Sequence, residues 1–78
     1  MRAPFSVLLP VRNEAATVGA IVERLRHAPG IAEVLVVDND STDASAEIAR
    51  RSGARVVHEA QPGLGAVVRT GLREAAHD

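Results

Sequence analysis

The sequence has no cysteine, tryptophan, tyrosine or lysine, and one aromatic residue, Phe5. Without cysteine there is neither a disulfide framework nor a thiolate metal site. Without aromatic rings nothing is available to stack on nucleic-acid bases, and the large anchors that usually thicken a core are missing. The formal net charge is −1, from nine basic residues, all arginine, against ten acidic ones. A balance so close to zero offers no bulk attraction to nucleic acid or to an acidic membrane, so neither is an expected partner. No apolar run approaches the roughly 20 residues of a membrane span, and the start, M-R-A-P-F-S, lacks the apolar stretch of a secretion signal. The expectation is a soluble segment that works in the cytoplasm. With 78 residues there is room for one small domain or part of a larger one. A unit of this size buries only about 60% of the surface its unfolded chain exposes, so marginal stability is expected.

What the sequence does have is aliphatic residues in periodic order. Phe5 to Val11 (F-S-V-L-L-P-V) reads as a strand, with Pro10 expected to mark its end because proline cannot donate a ladder hydrogen bond. Val18, Ile21, Val22 and Leu25 then recur at helical spacing. Asn13 is the expected N-cap of that helix, Glu14 belongs in its first turn, and Pro29-Gly30 stops it. Glu33 to Val37 is a second strand, apolar on both faces, which runs directly into D-N-D-S-T-D (Asp38 to Asp43). Ser41 or Thr42 is expected to cap a second helix, with Asp43 in its first turn, Ala44, Ile48 and Ala49 on its buried side and Gly53 just past its end. Ala54 to His58 is a short third strand. After the loop E-A-Q-P-G-L-G, a third helical pattern puts Leu64, Val68, Leu72 and Ala75 on one side. The alternation β-α-β-α-β-α predicts an α/β unit with a parallel sheet and right-handed crossovers.

In open parallel sheets, ligands bind in the crevice outside the carboxyl ends of the strands. Polar clusters fall at these ends: Pro10 to Glu14, Asp38 to Asp43, His58-Glu59 and the Gly63-Leu64-Gly65 turn. Adjacent first and second strands would bring Asn13-Glu14 and Asp38 to one cleft. Arg12 and Arg69 are suited to phosphate charge, and Gly63 and Gly65 free backbone N–H groups near the start of the third helix. Most of these residues also have an ordinary structural use. Ser41 and Asp43 read first as caps, Asn39 and Asp40 as turn formers, and isolated His58 has no second ligand for a metal. Asp38 stands apart, because a carboxylate directly after a buried strand is costly unless partnered.

Taken together, these clusters resemble family 2 glycosyltransferases, inverting enzymes of the GT-A fold that use nucleotide-sugar donors. L-L-P-V-R-N-E (Leu8 to Glu14) is similar to the family's first-strand P-x-x-N-E signature, and V-V-D-N-D-S-T-D (Val36 to Asp43) to its V-V-D-[DN]-G-S-T-D element. Ala54 to Leu72 resembles the Gly-rich segment that follows, most closely in the dolichyl-phosphate mannosyltransferase-like branch. The resemblance implies a Rossmann-like N-terminal half of a GT-A domain over residues 1–78 and a UDP- or GDP-linked sugar as donor. The acceptor it implies is a hydroxyl or a polyprenyl phosphate. It places Pro10 and Val11 against the base through backbone contacts and Glu14 near base or ribose. Asp38 would accept a hydrogen bond from the base, and Gly65 and Arg69 would approach the diphosphate. Asp40 stands where the family has glycine. If that position needs positive φ, Asp tolerates it better than most residues.

The family's metal-binding D-x-D and catalytic base lie beyond these motifs. The divalent Mg or Mn it implies for the full-length enzyme therefore has no ligands in this chain, which alone is expected to be inactive. A sugar-phosphate nucleotidyltransferase or a Rossmann dehydrogenase would carry a Gly-rich loop where P-V-R-N-E stands. The non-enzyme alternative is a free-standing nucleotide-binding or interaction module. Nothing in the sequence covers the far edge of the first strand, so self-association through that edge is a further expectation.

Overall fold

The computed structural model describes residues 5–75, and its elements follow the order β1 (Phe5–Val11), α1 (Val18–Arg26), β2 (Ile31–Asp38), α2 (Ser45–Arg51), β3 (Arg55–His58) and α3 (Leu64–Ala75). The three strands form one parallel sheet in the order β1-β2-β3. The expected α/β alternation is present, with β2 central because it alone is apolar on both faces. Val34 to Val37 are all at most 1% exposed.

Alternate residues of the strands serve opposite faces. On one face Val11, Val34, Val36 and Ala54 pack with Val18 and Val22 of α1 and Ala49 of α2, flanked by Leu9, Leu25, Ile48 and Val56. The other face is covered by α3, which packs on β1 and β2. Its buried residues are Ala66, Val67, Thr70 and Gly71, whereas Leu64 and Leu72 are 66% and 64% exposed. Leu64 and Leu72, which share one side of the helix, therefore face away from the sheet. The reason is close approach: a Cβ at Gly71 would lie 2.2 Å from Leu8 Cδ1, so only a small-residue face lets α3 settle on the sheet.

The helix starts also differ from expectation. α1 begins at Val18 after Thr17, and α2 at Ser45 after Ala44, with no side-chain cap bond at either position. Asn13, Ser41 and Thr42 do not cap but bond between the loops, and neither Glu14 nor Asp43 lies in a first turn, although Asp43 accepts the N–H of Ser45, the first residue of α2. The C-terminal expectation for α2 holds: Arg50 and Arg51 occupy its last turn and Gly53, at φ 111°, follows the C-cap Ser52.

Pro10 lies inside β1, paired with Val37, rather than ending it. Val11 turns its carbonyl toward β2, accepting the Asn39 N–H at 2.7 Å, so the preceding residue faces the free edge. A proline there removes no ladder bond. At the opposite end of the sheet Arg55 ties three elements together. Its guanidinium donates to Glu33 of β2 (Nε to Oε2, 3.4 Å) and to the side chain and main chain of Glu74 on α3 (3.4 and 3.0 Å).

Candidate nucleotide-binding cleft

The register aligns the carboxyl ends of all three strands: Val11 lies beside Asp38, and Asp38 beside His58. Above this row opens a cleft of about 280 Å³. Pro10, Val11, Arg12 and Glu14 form one wall, Asn39 the back, and Gly63, Leu64 and Val67 at the start of α3 the other wall. Two groups of hydrogen bonds hold these walls.

The first group joins the loop after β1 to the loop after β2. Successive N–H groups of Asn13, Glu14 and Ala15 donate to Ser41 Oγ (2.9 Å), Ser45 Oγ (2.7 Å) and Asp43 Oδ2 (3.2 Å). In return Asn13 Oδ1 accepts the Thr42 N–H at 2.8 Å. The Ser45 hydroxyl and N–H both donate to Asp43 Oδ1. Those two bonds, and the Ala15 N–H, hold the Asp43 carboxyl below the usual carboxylate range.

The second group shapes the loop between β3 and α3. Asn39, only 8% exposed, donates from Nδ2 to the carbonyls of Glu59 and Gln61, each at 2.8 Å. The Glu59 carboxylate accepts from the Thr70 hydroxyl and, at 2.9 Å, from the Gln61 N–H. The Thr70 bond chiefly, then the Gln61 N–H and the charges of Arg73 and Arg69, lower the Glu59 pKa.

The residues singled out in the sequence do not all reach the cleft. Pro10, Val11, Arg12 and Glu14 line it. Asp38, 4% exposed, is paired with Val11 but is not in the lining; its Oδ2 accepts the Ser41 N–H at 3.1 Å, while Oδ1 is buried with no hydrogen-bond partner. Asp40 occupies the turn at φ 59°, the left-handed conformation in which glycine would be unstrained. Its carboxylate meets His58 Nε2 at 3.1 Å, on the surface. Gly65 and Arg69 are exposed on α3 and are not part of the wall. Arg69 leans over Gly65, with Nη1 3.6 Å from where a Cβ would stand.

The residue the sequence reading undervalued is Asn39, taken only as a turn former. Both of its amide protons are committed to carbonyls, which fixes the orientation of the carboxamide of this cleft-lining residue. Its position between a fully apolar strand and an acidic run was the only signal available in the sequence. Among the described residues there is no group of three His, Asp or Glu side chains able to hold a metal ion, and no helix long and apolar enough to cross a membrane.

Parallel βα units with a cleft at their carboxyl ends, one wall built from Pro10, Val11, Arg12 and Glu14, are the N-terminal layer of a GT-A fold. The sequence profile of Glycosyl transferase family 2 matches residues 6–78. An uncharacterized glycosyltransferase of Mycobacterium tuberculosis is 41% identical over 70 residues, which are 90% of this chain and 31% of the relative. Mannosyl-3-phosphoglycerate synthase from Rubrobacter xylanophilus superposes with a TM-score of 0.79 at 34% identity, covering 90% of this chain and 26% of that one. Glucosyl-3-phosphoglycerate synthase from Mycobacterium tuberculosis, solved with Mg2+ and uridine diphosphate, gives 0.71 at 32% identity over 85% and 27% of the two chains. This chain belongs to glycosyl transferase family 2, and it spans less than a third of the length of these relatives.

Proposed function

We propose that this chain is the donor-recognition part of a glycosyltransferase, binding the nucleoside diphosphate of a UDP- or GDP-linked sugar for transfer to an acceptor hydroxyl or polyprenyl phosphate. The observation that carries the reading is the cleft at the carboxyl ends of the strands, lined by Pro10, Val11, Arg12 and Glu14, with the buried, partnerless Asp38 Oδ1 on the residue paired with Val11. Buried polar atoms are rarely left unpaired, and a missing ligand N–H is one explanation for such an atom. The imide N–H of uracil and the ring N–H of guanine both have the required donor character. In this reading Pro10 and Val11 pack on the base, Glu14 receives ribose hydroxyls, and Arg12 meets the diphosphate charge from the cleft wall. Gly65 and Arg69 border the diphosphate from α3, and Asp40 shapes the turn beside them.

The residues present do not fit a resident metal, so no step through one is assigned to this chain. Transfer requires a base for the acceptor and a counter-charge for the leaving diphosphate. In this reading the chain contributes donor recognition, with Arg12 as the cation set against the diphosphate. Supporting the donor class, a related synthase has been solved with Mn2+ and UDP-glucose. A nucleotide-sugar donor also fits action in the cytoplasm. Calorimetric titration of the chain with UDP and GDP, in the absence of metal, tests the reading. The expected result is weak saturable binding that Asp38→Ala removes, and a wild-type chain that takes up neither nucleotide would refute it.

A further inference from the structure

We propose that the bonds between the β1–α1 and β2–α2 loops act as a clasp that aims the cleft wall, and that Asn13 is its positioning residue. The inference rests on the nucleotide-binding reading above. Asn13 stands between Arg12 and Glu14, which both line the cleft, yet is itself absent from the lining. Its own polar groups are turned to the neighbouring loop: the N–H donates to Ser41 Oγ and Oδ1 accepts the Thr42 N–H, a reciprocal pair at 2.9 and 2.8 Å. Thr42 Oγ1 adds a third bond to the same oxygen at 3.3 Å.

This arrangement requires φ 52° at Asn13, a conformation that an L-residue other than Asn or Asp adopts only with strain. The next residue is anchored just as firmly. Glu14 donates its N–H to the hydroxyl of Ser45, which is fully buried and held in turn by Asp43. Asn13 and Ser41, side chains of cap type, thus bond across the loops rather than at the starts of α1 and α2. They are used to fix backbone that faces the cleft. A wall held from behind presents Arg12 and Glu14 in one geometry, and binding sites depend on such support to within a fraction of an ångström.

Two variants separate positioning from simple stability. Asn13→Gly keeps the left-handed backbone but removes Oδ1, while Asn13→Asp keeps both. Nucleotide affinity, measured well below the melting transition, is expected to fall about tenfold in Asn13→Gly, the equivalent of one net hydrogen bond, and to recover in Asn13→Asp. Amide hydrogen exchange provides a readout independent of nucleotide: the Thr42 and Glu14 amides should exchange faster in Asn13→Gly while amides of β2 keep their protection. Wild-type affinity in Asn13→Gly, or unchanged exchange at Thr42, overturns the proposal. If the wild-type chain binds neither UDP nor GDP, the nucleotide reading fails and the positioning role falls with it. The exchange comparison then still shows whether the clasp exists.

Discussion

Replacing Asp38 by Asn tests the chemistry of the site with almost no change in shape. In the ligand-free chain one carboxylate oxygen accepts the Ser41 N–H at 3.1 Å and the other is buried without a partner. An unsatisfied buried acceptor costs about 1–3 kcal/mol, more when it carries charge. In Asp38→Asn the amide oxygen can keep the Ser41 bond, and a neutral NH2 group takes the place of the orphan oxygen. Unfolding free energy should therefore be unchanged or higher by up to about 1 kcal/mol, because a neutral group is cheaper to bury than a charged one. Binding should respond in the opposite direction. A base N–H that donated to the carboxylate now meets another donor. Loss of a hydrogen bond to a charged group, worth about 1.5–3 kcal/mol, weakens Kd by roughly 10- to 100-fold. Urea denaturation followed by circular dichroism supplies the first quantity, and titration with UDP and GDP the second. A variant that binds nucleotide like the wild type would rule out a bond from the base to Asp38. A stability loss of about 2 kcal/mol or more, roughly the full cost of a buried bond, would show that the orphan oxygen had a partner all along.

Three further outcomes follow from the packing and the ionic contacts. Gly71→Ala gains up to about 1 kcal/mol of helix propensity but drives a methyl into Leu8, an overpacking cost of about 1–3 kcal/mol. It should destabilise the chain by about 1 kcal/mol yet stabilise a Leu8→Ala background; urea midpoints showing a gain in the presence of Leu8 would contradict this. The lowered pKa of Glu59 means that the unfolded state binds the extra proton first. That stability is present above the ordinary value of 4.5 and is lost as pH falls below it. Thr70→Val removes the largest cause, so its melting temperature should depend less on pH in this acid range; an unaltered slope counts against the assignment. Finally, among the described residues β1 has a strand neighbour on one side only, and the exposed Leu64 and Leu72 leave apolar surface uncovered on α3. Concentration-dependent self-association is expected in sedimentation experiments, and a clean monomer at high concentration would contradict it.

The sequence was most legible where one local period decided the outcome. Four consecutive aliphatic residues from Val34 could only be satisfied by burial on both faces, and β2 is central as a result. The crevice side of the sheet was equally readable, because the polar residues that follow each strand are adjacent to it in the chain. The boundaries of α1 and α2 were not. Asn13, Ser41 and Asp43 have the chemistry of N-caps, but the same oxygen atoms can accept N–H groups from another loop, and the local sequence does not distinguish the two uses.

The face of α3 shows the division most clearly. By itself the sequence determined that a helix forms after Gly63, that it carries a leucine stripe, and that P-x-x-N-E and D-N-D-S-T-D flank one crevice. Only the tertiary structure decided that Ala66, Val67, Thr70 and Gly71, rather than Leu64, Val68 and Leu72, turn toward the sheet. Periodicity records which residues share a face, but the distance between a helix and a sheet is set by side-chain volume at the contact. At Gly71, against Leu8, there is no volume to spare. The same is true of the cleft: residue type named Asp38 and Glu14 as its chemistry, but which atoms remain unpaired depends on bonds between residues nearly thirty positions apart.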